Sequence, residues 1–247
     1  NYRFRERPGI GALAAALRAG DGPGALEVLD NPAYLEVARR DPPSVSNRIL
    51  DPLTAALEGY YRCTEPADAL AFLETFRILS ATRRGRWGAQ RLNALVESRL
   101  ESMGRWDGAT GFYPGRPILI ESNDYQIQLF NGDLGVCWPE GAQTWAFFPD
   151  PAQAGALRRI PLAKLPPHAT AWAMTVHKSQ GSELDHVLLV LGDRDPGDLL
   201  SRELVYTGVT RARQRVDVAA TRELIYEAAA RSSRRTTGLT EALARSE

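Results

Sequence analysis

Nine consecutive residues, Thr175-Val176-His177-Lys178-Ser179-Gln180-Gly181-Ser182-Glu183, gather hydroxyls, an imidazole, an ammonium, an amide and a carboxylate in one short segment. Such groups suit contact with a phosphate backbone and a sugar, and Gly181 lets the main chain come close to a ligand. The plain alternative is a solvated polar connection. His177 has no Ser or Cys nucleophile with a carboxylate partner beside it, so it reads as a positioning group and not as a general base. Two arginine-rich places add to this. Arg202, Arg211, Arg213 and Arg215 fall near one another; they are either solvated helix-end charges or a source of a planar fork for phosphoryl oxygens. The loop Thr82-Arg83-Arg84-Gly85-Arg86-Trp87-Gly88 joins cations to a flat ring, the ingredients of single-strand binding by phosphate contact and base stacking. A turn whose Trp87 covers the next helix would look the same.

Composition narrows the chemistry. Among 247 residues, 30 basic side chains balance 30 acidic ones, so any nucleic-acid contact must be a local patch. A Walker A loop needs Gly-Lys followed by Ser or Thr. The two lysines follow Ala163 and His177, so Lys164 and Lys178 cannot form one, and no Asp-Glu pair offers a Walker B box. Cys63 and Cys137 form no CxxC pair and the three histidines lack metal-ligand spacing, as a reduced cytoplasmic compartment would favour. No stretch approaches the roughly 18 apolar residues of a membrane span.

The elements that must position these residues alternate between helix and strand. Val187-Leu188-Leu189-Val190-Leu191 reads as a strand buried on both faces of a parallel sheet, which puts the preceding polar stretch at a sheet edge. Ile78-Leu79-Ser80-Ala81 reads as a second buried strand. Helices are expected over 8–19, over the stripe Val45 to Tyr60, after Glu65-Pro66, and from about Gln90 to Ser102. A helix from about Leu199 carries Thr210 and Arg211, followed by a strand at 215–219 and a last helix on Leu224 and Ile225. Gly20 to Pro43 reads as irregular apart from a short helical stretch at 25–29, and 169–174 is open between helix and strand. From about Gly108 the pattern turns antiparallel: strand-like pieces at 117–120, 126–130, 135–138 and 145–148 are separated by Asn-Asp, Asn-Gly and Glu-Gly turns.

The segment TVHKSQGSE, followed by Val205-Tyr206-Thr207-Gly208-Val209-Thr210-Arg211-Ala212-Arg213, resembles motifs V and VI of superfamily 1 helicases, and Asn1-Tyr2-Arg3-Phe4 resembles motif IV. More narrowly the chain is similar to the RecD family, alpha subunits of exonuclease V, down to the ending Arg235-Thr236-Thr237-Gly238-Leu239. The resemblance implies an α/β, RecA-like motor domain in two parts, 1–112 and 166–247, around an inserted SH3-like β-barrel at 113–165. It implies a second motor domain without the first, hence no ATP hydrolysis by this chain alone, with ATP and Mg2+ held mainly by the N-terminal RecA-like domain. Arg211 is then the arginine finger. Arg3 reaches the terminal phosphate and Tyr2 stacks on the base. Gly181 and Glu183 face the nucleotide, with Glu183 toward the ribose. Thr175, His177, Lys178 and Ser179 face single-strand phosphates together with Arg83, Arg86 and Trp87. Implied partners are single-stranded DNA, RecB and RecC, in 5′-to-3′ unwinding during double-strand-break repair. The insertion's aromatics, Trp138, Trp145, Phe147 and Phe148, are mostly core in this reading. A non-catalytic strand-binding or interaction module on the same scaffold is the rival expectation.

Overall fold

The computed structural model describes residues 6–41, 51–106, 108, 111–192 and 200–232. Among these, ten strands form two five-stranded sheets. The first consists of β1 (Val37–Arg40), β10 (Ala212–Ala220), β9 (Leu184–Gly192), β2 (Phe76–Ser80) and β8 (Ala173–Thr175), in that order and all parallel. Strand β9 lies at its centre because Val187 to Leu191 is apolar on both sides of the pleat and needs helices over both faces. Odd positions of β9 pack with α1 (Pro8–Ala19), α2 (Gly22–Asp30), α6 (Arg202–Val209) and α7 (Arg222–Ala230). Even positions pack with α3 (Asp51–Tyr60), α4 (Pro66–Thr75) and α5 (Ala89–Ser102). The result is an α/β layered fold on a parallel sheet.

The second sheet is antiparallel, in the order β6 (Leu157–Pro161), β5 (Gln143–Pro149), β4 (Leu134–Glu140), β3 (Pro117–Ile120) and β7 (His168–Thr170). Strands β6 and β7 are its two edges. Its own small core holds Ile118, Ile120, Leu129, Cys137 and Phe148. Of the four aromatics expected as core, Phe148 is 1% exposed, while Trp138 and Phe147 pack half-buried against the α4–α5 side and Trp145 lies under the Arg159 guanidinium. Burial pushes the Cys137 thiol up to about 12, with Arg116 pulling the other way.

Several expectations change on the structure. Residues 126–130 are a turn and not a strand: Asp124 and Leu129 exchange main-chain bonds, and the Asp124 carboxylate accepts from the amides of Gln126 and Ile127. Gly20–Pro43 holds α2 and the edge strand β1. Residues 169–174 resolve as the end of β7 and the start of β8. Helix α6 ends at Val209, so Thr210 and Arg211 follow it.

At the β1 edge, Asp217 is fully buried and collects Arg215 (3.1 Å), Arg40 (3.2 Å) and the His186 ring nitrogen (2.6 Å). Burial alone would raise the Asp217 pKa, but these hydrogen bonds and charges outweigh it and hold the carboxyl well below the usual range. Charge thus tethers an edge strand whose sequence, Val-Ala-Arg-Arg, has little apolar surface to bury.

Candidate nucleotide and single-strand interface

The stretch 175–183 is a crossover between two parallel strands. Thr175 ends β8 level with Ser80 of β2, which is level with Val190 of β9, whereas the chain re-enters at Leu184. Those six positions of β9 amount to about 20 Å. The nine residues are therefore not confined to one sheet edge; Thr175 and His177 stand at one end of the sheet, Gly181 and Glu183 at the other. Local bonds shape the path. Val176 N–H donates to Ser80 O (3.0 Å), a 3-10 turn spans His177–Ser179, and Lys178 N–H reaches the Thr175 hydroxyl (3.4 Å). Gly181 has φ +89°, a conformation costly for residues with a Cβ, and open space lies around it. His177, Gly181 and Glu183 are exposed. Ser179 is the correction: its side chain is 0% exposed and its hydroxyl donates to Val176 O at 2.7 Å, so it braces the turn and does not face a strand.

Arg211 meets the far end of this crossover. Its main-chain oxygen accepts from Leu184 N–H (2.9 Å), its Nη1 donates to Ser182 O (3.2 Å) and its Nε to Thr207 O (3.3 Å). The other arginines of the group are in ion pairs: Arg202 with Glu203, Arg213 with Asp185, Arg215 with Asp217. Arg211 makes none among the described residues, and the carbonyls of Ser182 and Thr207 hold its planar head. Tyr2 and Arg3 lie outside the described residues, as does the ending 235–239.

The loop 82–88 follows β2 and is laced by the Ser80 hydroxyl, within reach of the Thr82 (3.0 Å) and Trp87 (2.8 Å) carbonyls. Trp87 is half-buried against the α4–α5 core and overlies Gly192, where an added Cβ would sit 2.5 Å from the ring. The Arg86 guanidinium stacks 5.2 Å from the Trp87 ring centre. Arg83 pairs with Glu121 at 2.8 Å, and Lys178 pairs with the other oxygen of the same carboxylate at 3.1 Å. Glu121 follows β3, so one residue at the end of an antiparallel strand clamps both the arginine loop and the crossover.

A cleft of about 460 Å3 opens between the two sheets, lined by Lys178, Gly181, Glu183 and Arg213 with Leu119 and Leu134 opposite. Arg77 lies at its base, 2% exposed, donating to Ala171 O (2.5 Å) and Leu73 O (2.8 Å). Burial lowers its pKa to about 10. Sequence reading passed over Arg77 and Glu121. A lone charge inside the buried run Phe-Arg-Ile-Leu-Ser is a visible signal for the first; nothing local marks the second, because both its partners are distant in sequence.

Among the described residues no helix is long and apolar enough to cross a membrane. Residues 170–219, which span the crossover, Arg211 and the central strands, match the UvrD-like helicase C-terminal domain family. The chain is 37% identical over 253 aligned positions to the RecBCD enzyme subunit RecD of Mycolicibacterium smegmatis, an alignment covering 98% of this chain and 42% of the relative. It is also 41% identical over 103 positions to the ATP-dependent RecD2 DNA helicase of Deinococcus radiodurans, covering 41% of this chain and 14% of that protein. A solved structure of a Bacteroides Pif1 helicase with ADP-AlF3 and ssDNA aligns over 82% of this chain and 55% of its own, at 15% identity and TM-score 0.40. This chain spans about two fifths of the length of the curated RecD relatives it matches. The chain belongs to the RecD family, and the part of the family it represents carries the C-terminal helicase domain.

Proposed function

We propose that this chain is the C-terminal motor domain of an ATP-dependent, 5′-to-3′ DNA helicase subunit that works with RecB and RecC in the cytoplasm during double-strand-break repair and recombination. Its RecA-like motor comprises residues 1–112 and 166–247, and residues 113–165 form the SH3-like insertion. The parallel sheet with helices on both faces supports the first assignment, and the four antiparallel strands β3 to β6 support the second, with β7 completing that sheet from just beyond residue 165. Similarity to the ATP-dependent RecD2 DNA helicase of Deinococcus radiodurans supports ATP dependence.

The single observation that carries the reading is the state of Arg211. It joins the two stretches that resemble motifs V and VI, and it is the arginine of its group whose charge no described carboxylate neutralises. A planar guanidinium held by carbonyls is pre-aimed for paired contact with phosphoryl oxygens, which is how an arginine lowers a phosphoryl-transfer barrier. The residues fit half of a nucleotide site. Arg211 and Arg3 supply cations, Tyr2 a stacking ring, and Gly181 and Glu183 a main chain and carboxylate for the sugar side. The phosphate cradle and the Mg2+ ligands belong to the N-terminal RecA-like domain, since neither lysine here follows a glycine. ATP with Mg2+ supplies the energy of translocation; this chain positions the strand and the arginine. Thr175, His177, Lys178, Arg83, Arg86 and Trp87 form the single-strand face.

The chain alone is expected to bind single-stranded DNA in a salt-dependent, sequence-tolerant way and to show no DNA-stimulated ATPase. Turnover above background that vanishes on Arg211→Ala would overturn the reading, as would strand affinity indifferent to salt.

A further inference from the structure

The loop between β3 and β4 holds out two large aromatic side chains that the interface above does not use. Tyr125 is 76% and Phe130 41% exposed, and their rings stand edge to face with centres 5.9 Å apart. The loop beneath them is tightly bonded. Asp124 and Leu129 exchange main-chain bonds at 2.7 and 3.0 Å, the Asp133 carboxylate accepts from Phe130 N–H (2.8 Å), and Asn123 accepts from Asn131 N–H (2.8 Å). Arg158 of β6 donates to the carbonyls of Ile127 and Gln128, and Leu129 is fully buried in the small core. Gln128 takes φ +52°, a left-handed conformation that the surrounding bonds enforce. An ordered loop that fixes two large rings in water has spent order on keeping apolar surface exposed, which marks a binding surface.

Their surroundings indicate the occupant. Phe130 walls a groove of about 320 Å3 that shares Gly132 and Leu134 with the cleft holding Lys178 and Arg213. A groove walled by Phe130, with Tyr125 edge-on to that ring, adjoins a cleft lined by cations, and this pairing matches a polymer whose flat bases alternate with phosphates. From this juxtaposition we propose that Tyr125 and Phe130 are the base-stacking residues of the inserted sheet, receiving bases of a single strand whose phosphates run along Lys178. The assignment rests on the strand-binding reading above and says which insertion residues meet the bases. A protein segment docking on the same rings is the competing occupant, and the test separates the two.

The test measures binding of this chain to oligo-dT and to an abasic oligomer of equal length, which keeps the phosphates and lacks the bases. Tyr125→Ala with Phe130→Ala is expected to weaken oligo-dT binding by about tenfold or more, in line with typical stacking losses, and to leave abasic binding within about twofold; Tyr125→Phe should keep most of the affinity for oligo-dT. Both side chains are solvent-facing, so the double variant should keep the wild-type melting temperature. If the wild type binds oligo-dT and the double variant binds it equally well, the stacking proposal falls while the strand-binding reading stands, and the rings belong to a protein contact. If the wild type binds neither oligomer, both fall.

Discussion

Glu121→Gln should tighten single-strand binding. The Glu121 carboxylate takes Arg83 Nη2 at 2.8 Å and Lys178 Nζ at 3.1 Å, so two cations of the proposed strand face are engaged by one internal anion. Phosphates must displace it. Arg83 is 53%, Lys178 30% and Glu121 19% exposed, so each pair is worth a surface value of about 0.2–1 kcal/mol. Removing both raises affinity by about 0.4–2 kcal/mol, or roughly 2- to 30-fold. Two newly available cations should also steepen the slope of log affinity against log salt by up to about 1.4, at about 0.7 per single-strand phosphate contact. Fluorescence anisotropy with labelled oligo-dT across a salt series reads both quantities. Adding Arg83→Ala and Lys178→Ala to Glu121→Gln should erase the gain. Unchanged or weaker binding by Glu121→Gln, with an unchanged salt slope, would refute the idea that these cations serve phosphates.

Other outcomes follow from single contacts. Ser179→Ala should lower stability by about 1 kcal/mol, because the Val176 carbonyl loses a buried donor, while strand affinity stays at the wild-type value; calorimetry and anisotropy on one preparation check this. Asp217 has a depressed folded pKa, so its contribution is complete above the unfolded value of about 3.9 and is lost as pH falls toward the folded one. Wild-type melting temperature should therefore drop more steeply below pH ~4 than that of Asp217→Asn, which starts lower by about 3–5 kcal/mol of stability for breaking a buried pair; parallel slopes would count against this account. Gly181→Ala should cost about 1 kcal/mol for a residue forced to positive φ, without any steric clash.

The fold was legible where burial dictates pattern. Val187 to Leu191 read as a central strand because a short, uninterrupted apolar run with β-branched residues fits a sheet covered on both faces, and the helix stripes supply that cover. Strand β1 was missed because two of its four residues are arginines, and ion pairs to Asp217 and Asp30 join the burial of Val37 in holding it in place. The turn at 126–130 mimics strand alternation in Ile127 and Leu129; the Asp124 side chain captures the amides a strand would pair. At the site, residue types were readable and partners were not. Ser179 looked like its polar neighbours until its hydroxyl found Val176 O. Arg211 stands apart from Arg213 and Arg215 because Asp185 on the neighbouring strand claims the first and Asp217, two residues along the same strand, claims the second. Tyr125 and Phe130 gave no signal, since exposure is a property of the folded loop.

The central claim is that Arg211 acts on phosphoryl transfer, and it is tested in the chain joined to its Walker-bearing half. Arg211→Lys keeps the positive charge and loses the planar two-pronged donor. The account predicts that the DNA-stimulated ATPase rate at saturating ATP falls by at least about tenfold, a small part of what a supplied arginine typically contributes, while nucleotide-free strand affinity and melting temperature stay near wild type. Full turnover by Arg211→Lys, or loss of strand binding and folding together with turnover, would contradict it.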